Sequence, residues 1–124
     1  QVNIALWILQ VLLGIFFVFH ATVLLRPSPQ RLQNGMRYVL EMPAGLRVFA
    51  GVAEGLAGVG LILPPLVHVL VWLTPLAAAG LVVLMLGAIV FHFRRHEYPN
   101  IGLNAVLGAL AAVVAWGRFG PYHF

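Results

Sequence analysis

The chain has 124 residues, 62% of them hydrophobic and 8% charged, with no cysteine and a formal net charge of +4. A soluble domain carries about 25% charged residues, so this chain cannot cover its own surface in water and suits lipid as its solvent. The missing thiols exclude disulfides, CxxC redox chemistry, thiolate zinc sites and iron–sulfur clusters. The positive charge comes from arginines alone, with no basic run and no nucleic-acid motif, which points to loops beside anionic headgroups and not to a nucleic-acid partner.

At about 20 residues per crossing, the length allows four spans with short connections. The expectation is one all-α domain, an integral membrane four-helix bundle, with the lipid bilayer as its first partner. The first span runs from about Ile4 to Leu25. No basic residue precedes it, and it is longer than the apolar core of a secretory signal, so it reads as a retained helix. Arg26-Pro27-Ser28-Pro29 then stops the helix. Beyond it, Leu32, Met36, Val39 and Leu40 recur near helical spacing, with Arg31, Arg37 and Glu41 between them. That pattern predicts a short amphipathic helix over about 30–41, lying in the headgroup region, with a plain loop as the alternative. The second span runs from about Ala44 to Leu63 and is expected to end at Pro64-Pro65. The third runs from about Val67 to Phe93, with a bend at Pro75, because proline cannot donate a helical hydrogen bond. The chain turns over residues 94–100, and the last span runs from about Ile101 to Phe119.

Arg26, Arg31, Arg37, Arg94 and Arg95 fall on the two connections that share one side, with Arg47 just inside the second span, while the opposite side has only Arg118. The positive-inside rule places those connections in the cytoplasm and both ends of the chain outside it. Trp7, Trp72 and Trp116 fall near the outer face, as an aromatic belt would. The expected location is a prokaryotic cytoplasmic membrane.

Gly51 and Gly55 form a GxxxG pair that Gly58 roughly continues, and Gly80 and Gly87 lie a heptad apart in the third span. These five glycines read as helix-packing positions, since small residues let backbones approach where no hydrophobic drive exists between helices. Glu54 is the most informative residue on energetic grounds. It sits about 15 Å along the second span, near the bilayer midplane, where an ionised carboxylate costs at least a few kcal/mol. It must be protonated, paired or turned into a polar cavity; a buried carboxyl that only ties helices together is the structural reading. Arg47 lies two turns earlier on nearly the same face, about 10 Å away along the axis. His20, His92 and Asn104 bring one polar group each from the other three spans into the same half of the membrane. Glu54, Arg47, His20, His92 and Asn104 are therefore the candidate site, grouped around a shared cavity. His20 and His92 also admit a haem between helices, though interfacial solvated histidines explain them more simply. No set of ligands has metal spacing, and no Ser/His/acid set or phosphate-binding glycine motif is present, so no catalytic residue and no metal are expected.

The segment Leu46-Arg47-Val48-Phe49-Ala50-Gly51-Val52-Ala53-Glu54-Gly55-Leu56-Ala57-Gly58, closing with Leu61-Ile62-Leu63-Pro64, resembles the glycine-rich, acid-bearing second helix of DoxX-like membrane proteins. Gly87-Ala88-Ile89-Val90-Phe91-His92-Phe93-Arg94-Arg95 resembles their third helix and basic loop. The resemblance implies a four-span protein with no agreed catalytic residues. It also implies an association with membrane oxidoreductases such as thiosulfate:quinone oxidoreductase, where a DoxX-type subunit partners a second chain. Glu54, Arg47 and His92 are the positions it singles out. The leading expectation is an accessory subunit of a multi-subunit membrane complex that handles electrons, with quinone or lipid as the bound molecule and other membrane subunits as partners. A small proton-coupled transporter using Glu54 is the second expectation, and a haem-binding oxidoreductase subunit the third.

Overall fold

The computed structural model describes residues 2–27 and 38–124. It is helical throughout: α1 (Val2–Leu25), α2 (Tyr38–Glu41), α3 (Ala44–Val67), α4 (Leu73–Arg94) and α5 (Tyr98–Phe119). The helices α1, α3, α4 and α5 have 22 or 24 residues each and are long and apolar enough to cross a membrane. At 1.5 Å per residue they reach about 33–36 Å, slightly more than the hydrocarbon core. Of the amphipathic helix expected over 30–41, only Tyr38–Glu41 is described; Ser28–Arg37, with Arg31, Leu32 and Met36, lie outside the described residues.

Each span buries one stripe. On α1 the buried residues Leu6, Gln10, Leu13, Phe17, Ala21 and Leu24 recur every three or four positions, and Ile4, Ile8, Leu12, Ile15 and Phe19 face outward. The spans form a ring in the order α1, α3, α4, α5, with α1 lying mainly on α3 and α4 mainly on α5. Leu13, Phe17, Leu61, Leu81, Met85, Leu107 and Val114 fill the middle of the ring. A second cluster of Val23, Leu24 and Val39 tucks α2 against the end of α1.

Glycine sets the α1–α3 distance. A Cβ on Gly58 would lie 2.9 Å from the Gly14 carbonyl oxygen, and one on Gly14 would lie 2.9 Å from the Gly58 carbonyl oxygen. Gly51 and Gly55 continue this seam against Leu24, Leu25 and Ala21. Gly80 and Gly87 differ from the expectation. A Cβ at either would meet nothing within 4 Å: Gly80 is exposed, and Gly87 borders a cavity between the helices.

The Pro64-Pro65 pair does not end α3, which runs on to Val67. Two prolines remove the hydrogen bonds that would have reached the carbonyls of Gly60 and Leu61. Neighbouring spans replace both: Thr74 Oγ1 donates to the Gly60 carbonyl at 2.8 Å, and Gln10 Nε2 donates to the Leu61 carbonyl at 2.8 Å. In a bilayer, this substitution by side chains of other helices is what lets proline remain inside a span. Pro75 likewise makes no bend through a lost hydrogen bond. The helix α4 begins at Leu73, so Pro75 sits in the first turn, where a backbone N–H has no helical acceptor.

Candidate functional site

Glu54 points inward from α3 and is 5% exposed. Its Oε1 lies 2.6 Å from His20 Nδ1 on α1. The other ring nitrogen of His20, Nε2, lies 2.9 Å from the Tyr38 hydroxyl on α2. With Glu54 ionised, His20 donates from Nδ1 and accepts the Tyr38 hydroxyl proton at Nε2, which uses every polar atom of the imidazole. Phe16 stacks on the same ring, with centroids 5.8 Å apart and planes 8° from parallel, and so fixes its tilt. The short Gly14–Gly58 approach brings these two groups within reach, because it closes the α1–α3 spacing just one to two turns away.

From Tyr38 the polar line continues toward the arginine-rich end. The Tyr38 and His92 rings meet edge to face at 4.6 Å. The His92 Nδ1 lies 2.8 Å from Glu97 Oε1, and Arg95 donates from Nε to Glu97 at 3.0 Å and from Nη2 to Glu41 at 2.8 Å. Burial pushes the Glu97 carboxyl up, but hydrogen bonds from Arg95 and His92, aided by their charges, outweigh this and hold it below the usual carboxylate range. Burial, reinforced by the charges of Glu54 and Glu97, pushes the Tyr38 phenol up to about 12, so it stays a neutral hydroxyl.

His20, Glu54, Tyr38, His92 and Asn104 form the polar end of a cavity of about 320 Å³ whose remaining walls are apolar, among them Phe49, Val83, Leu84 and Phe91. That volume lies at the small end of ligand pockets. His20, Tyr38, His92 and Asn104 also border a second cavity of about 190 Å³. The Asn104 Nδ2 is buried and has no partner among the described residues. An orphaned buried donor costs about 1–3 kcal/mol, which an acceptor in the cavity would recover.

Four of the five expected residues thus meet. Arg47 does not join Glu54: its Nη1 donates to the Leu24 carbonyl, in the last turn of α1. There it satisfies one of the carbonyls every helix end leaves open, with its charge at the negative end of the helix dipole. A haem between His20 and His92 does not fit this geometry, since both nitrogens of His20 and the Nδ1 of His92 are already engaged. Among the described residues, no three His, Asp or Glu side chains gather in a metal-binding group. Tyr38 is a site residue that sequence reasoning missed. It lies in the connection after α1, where spacing carries no information about which span it will meet.

A family model described as the DoxX-like family matches residues 8–114. The chain belongs to the DoxX-like family. No curated protein and no solved structure matches it. This DoxX-like chain, with four helices able to span a bilayer, is a small membrane protein whose outer surface contacts lipid. The match covers α3 and α4 whole and most of α1 and α5, and so includes every residue of the polar cluster.

Proposed function

We propose that this DoxX-like protein is an accessory subunit of a quinone-linked membrane oxidoreductase, and that its cavity receives the quinone head. The observation that carries the reading is the unpartnered Asn104 amide at the polar end of an otherwise apolar cavity. A quinone offers a carbonyl acceptor on an apolar ring, which suits that pairing. When bound, it supplies exchange of electrons coupled to protons. Asn104 would donate to one carbonyl oxygen, and the His20–Glu54 pair, in contact at 2.6 Å, would hold a proton between them beside it. Gly80, exposed and with nothing within 4 Å of a Cβ, leaves α4 a position where a helix of another subunit can approach closely. In this reading the arginine-rich end lies in the cytoplasm of a prokaryotic cell and the tryptophan end outside.

Titration of the purified protein with a short-chain ubiquinone tests the pocket. Saturable binding is expected, weakened about 3- to 10-fold in Asn104→Leu through loss of one hydrogen bond; equal affinity in that variant contradicts the assignment. Purification from native membranes in mild detergent tests the subunit role: a stoichiometric second chain is expected, and a protein that runs alone refutes it.

A proton-coupled transporter is the second reading, favoured by the His20–Glu54 pair at one cavity, with His20 bordering a second as well. Proton-driven substrate flux in liposomes that vanishes in Glu54→Gln would support it, and flux untouched by that change would remove it.

A further inference from the structure

The opposite end of the bundle holds a buried cation that makes no ion pair among the described residues. Arg118, on the last turn of α5, is 3% exposed. Its Nε donates to Gln10 Oε1 at 2.7 Å, and its Nη1 donates to Asn3 Oδ1 at 2.7 Å and to the Tyr122 carbonyl at 2.8 Å. These acceptors are all neutral. The 124 residues include three acids, Glu41, Glu54 and Glu97. Glu54 is engaged with His20, and Glu41 and Glu97 with Arg95, all away from this end. The Nη2 of Arg118 is buried and has no partner among the described residues.

A guanidinium stays charged under any ordinary condition, so it cannot escape burial by losing a proton. Burying it unpaired is costly, and membrane proteins pair such groups or turn them toward a polar cavity. Arg118 borders a cavity of about 460 Å³ that also meets Asn3, Trp7, His68, His123 and Phe124. The Arg118 guanidinium carbon sits over the Phe124 ring, 4.2 Å from its centroid, and over the Trp7 ring, 5.9 Å from its centroid. With Nε and Nη1 bound and two aromatic rings beside the group, Nη2 is the nitrogen left to donate to an acceptor. An oxygen of an anion matches that donor in charge and in geometry. His68 and His123 line the same cavity.

We propose that Arg118 anchors an oxyanion site for a phosphate group, with Gln10 and Asn3 as positioning residues and Phe124 as a movable cover. The phosphate comes from an anionic lipid headgroup or from free phosphate in the compartment at this end. The site is separate from the His20–Glu54 cavity, so it stands or falls independently of the quinone reading.

Trp7 is a built-in reporter. With Trp72→Phe and Trp116→Phe as background, Trp7 emission is followed in neutral detergent while inorganic phosphate replaces chloride at constant ionic strength. A second arm compares phosphatidylcholine nanodiscs with and without phosphatidylglycerol. A saturable change with inorganic phosphate assigns the free anion; a change with phosphatidylglycerol alone assigns the headgroup. In whichever arm responds, Arg118→Gln is expected to weaken binding at least about tenfold, the worth of a charge-assisted hydrogen bond. Phe124→Ala leaves the guanidinium in place, removes its cover and is expected to change the apparent affinity at least about threefold, which keeps the test decisive should Arg118→Gln fail to fold. No response in either arm, or a response that neither Arg118→Gln nor Phe124→Ala alters, overturns the proposal.

Discussion

Adding one methyl group at Gly58 tests how the α1–α3 seam positions the polar cluster. In Gly58→Ala the new carbon would lie 2.9 Å from the Gly14 carbonyl oxygen, 2.9 Å from a Val18 side-chain carbon and 3.2 Å from the Val18 backbone nitrogen. Ordinary contact begins several tenths of an ångström farther out, and two of the three obstacles are backbone, which cannot rotate away. The helices must separate, at a cost of about 1–3 kcal/mol for an overpacked contact. Separation also lengthens the 2.6 Å His20–Glu54 contact, which spans the same two helices. Gly80→Ala is the internal control: it meets nothing within 4 Å and exchanges glycine for a better helix former, so stability should hold or rise by up to about 1 kcal/mol. Thermal unfolding in detergent, read by circular dichroism, should rank Gly80→Ala at or above the parent and Gly58→Ala clearly below it. Quinone affinity should fall in Gly58→Ala alone. Equal stability of the two variants would refute the claim that the glycine seam sets the helix spacing.

Gln10→Leu removes the donor to the Leu61 carbonyl and the acceptor of Arg118 Nε, leaving both buried partners unpaired; a loss of about 2–5 kcal/mol is expected in detergent unfolding, far above a surface change. Among the three tyrosines, Tyr38 should titrate last, near pH 12, by ultraviolet phenolate absorbance, with an early third phenolate contradicting its burial. Because its folded value is raised, the stability tied to that shift is present below the ordinary tyrosine range and lost as pH rises through about 12. Glu97 behaves in the opposite sense. Its folded value is depressed, so the stability it contributes is present above its ordinary value of 4.5 and is lost as pH falls through the lower folded value. Glu97→Gln should therefore reduce the acid sensitivity of unfolding, and an unchanged acid limb would contradict the Arg95–Glu97–His92 contacts.

The four spans were legible because their apolar length exceeds what any soluble loop tolerates, and the depth of Glu54 followed from rise per residue alone. Its company with His20, His92 and Asn104 followed from the same rule applied four times. What escaped were the pairings decided between helices. Pro64-Pro65 looked like a stop because their rescue comes from Gln10 and Thr74, 51 and 14 residues from the carbonyls they satisfy. Arg47 looked like a partner for Glu54 because spacing along one helix says nothing about the open carbonyls at the end of its neighbour. Arg118 passed as an interfacial charge, although the amide of Gln10 inside an apolar span was the available signal that something polar is held there. Gly80 and Gly87 matched a packing pattern, but a pattern does not say whether the partner helix belongs to the same chain.

Photo-crosslinking with an azidoquinone, followed by peptide mapping, tests the central claim most directly. Label should concentrate on the cavity walls around Phe49, Phe91 and Asn104, be displaced by unlabelled quinone and be reduced in Asn104→Leu. Label spread over outward-facing positions such as Leu12 and Leu56, with no displacement, would contradict it.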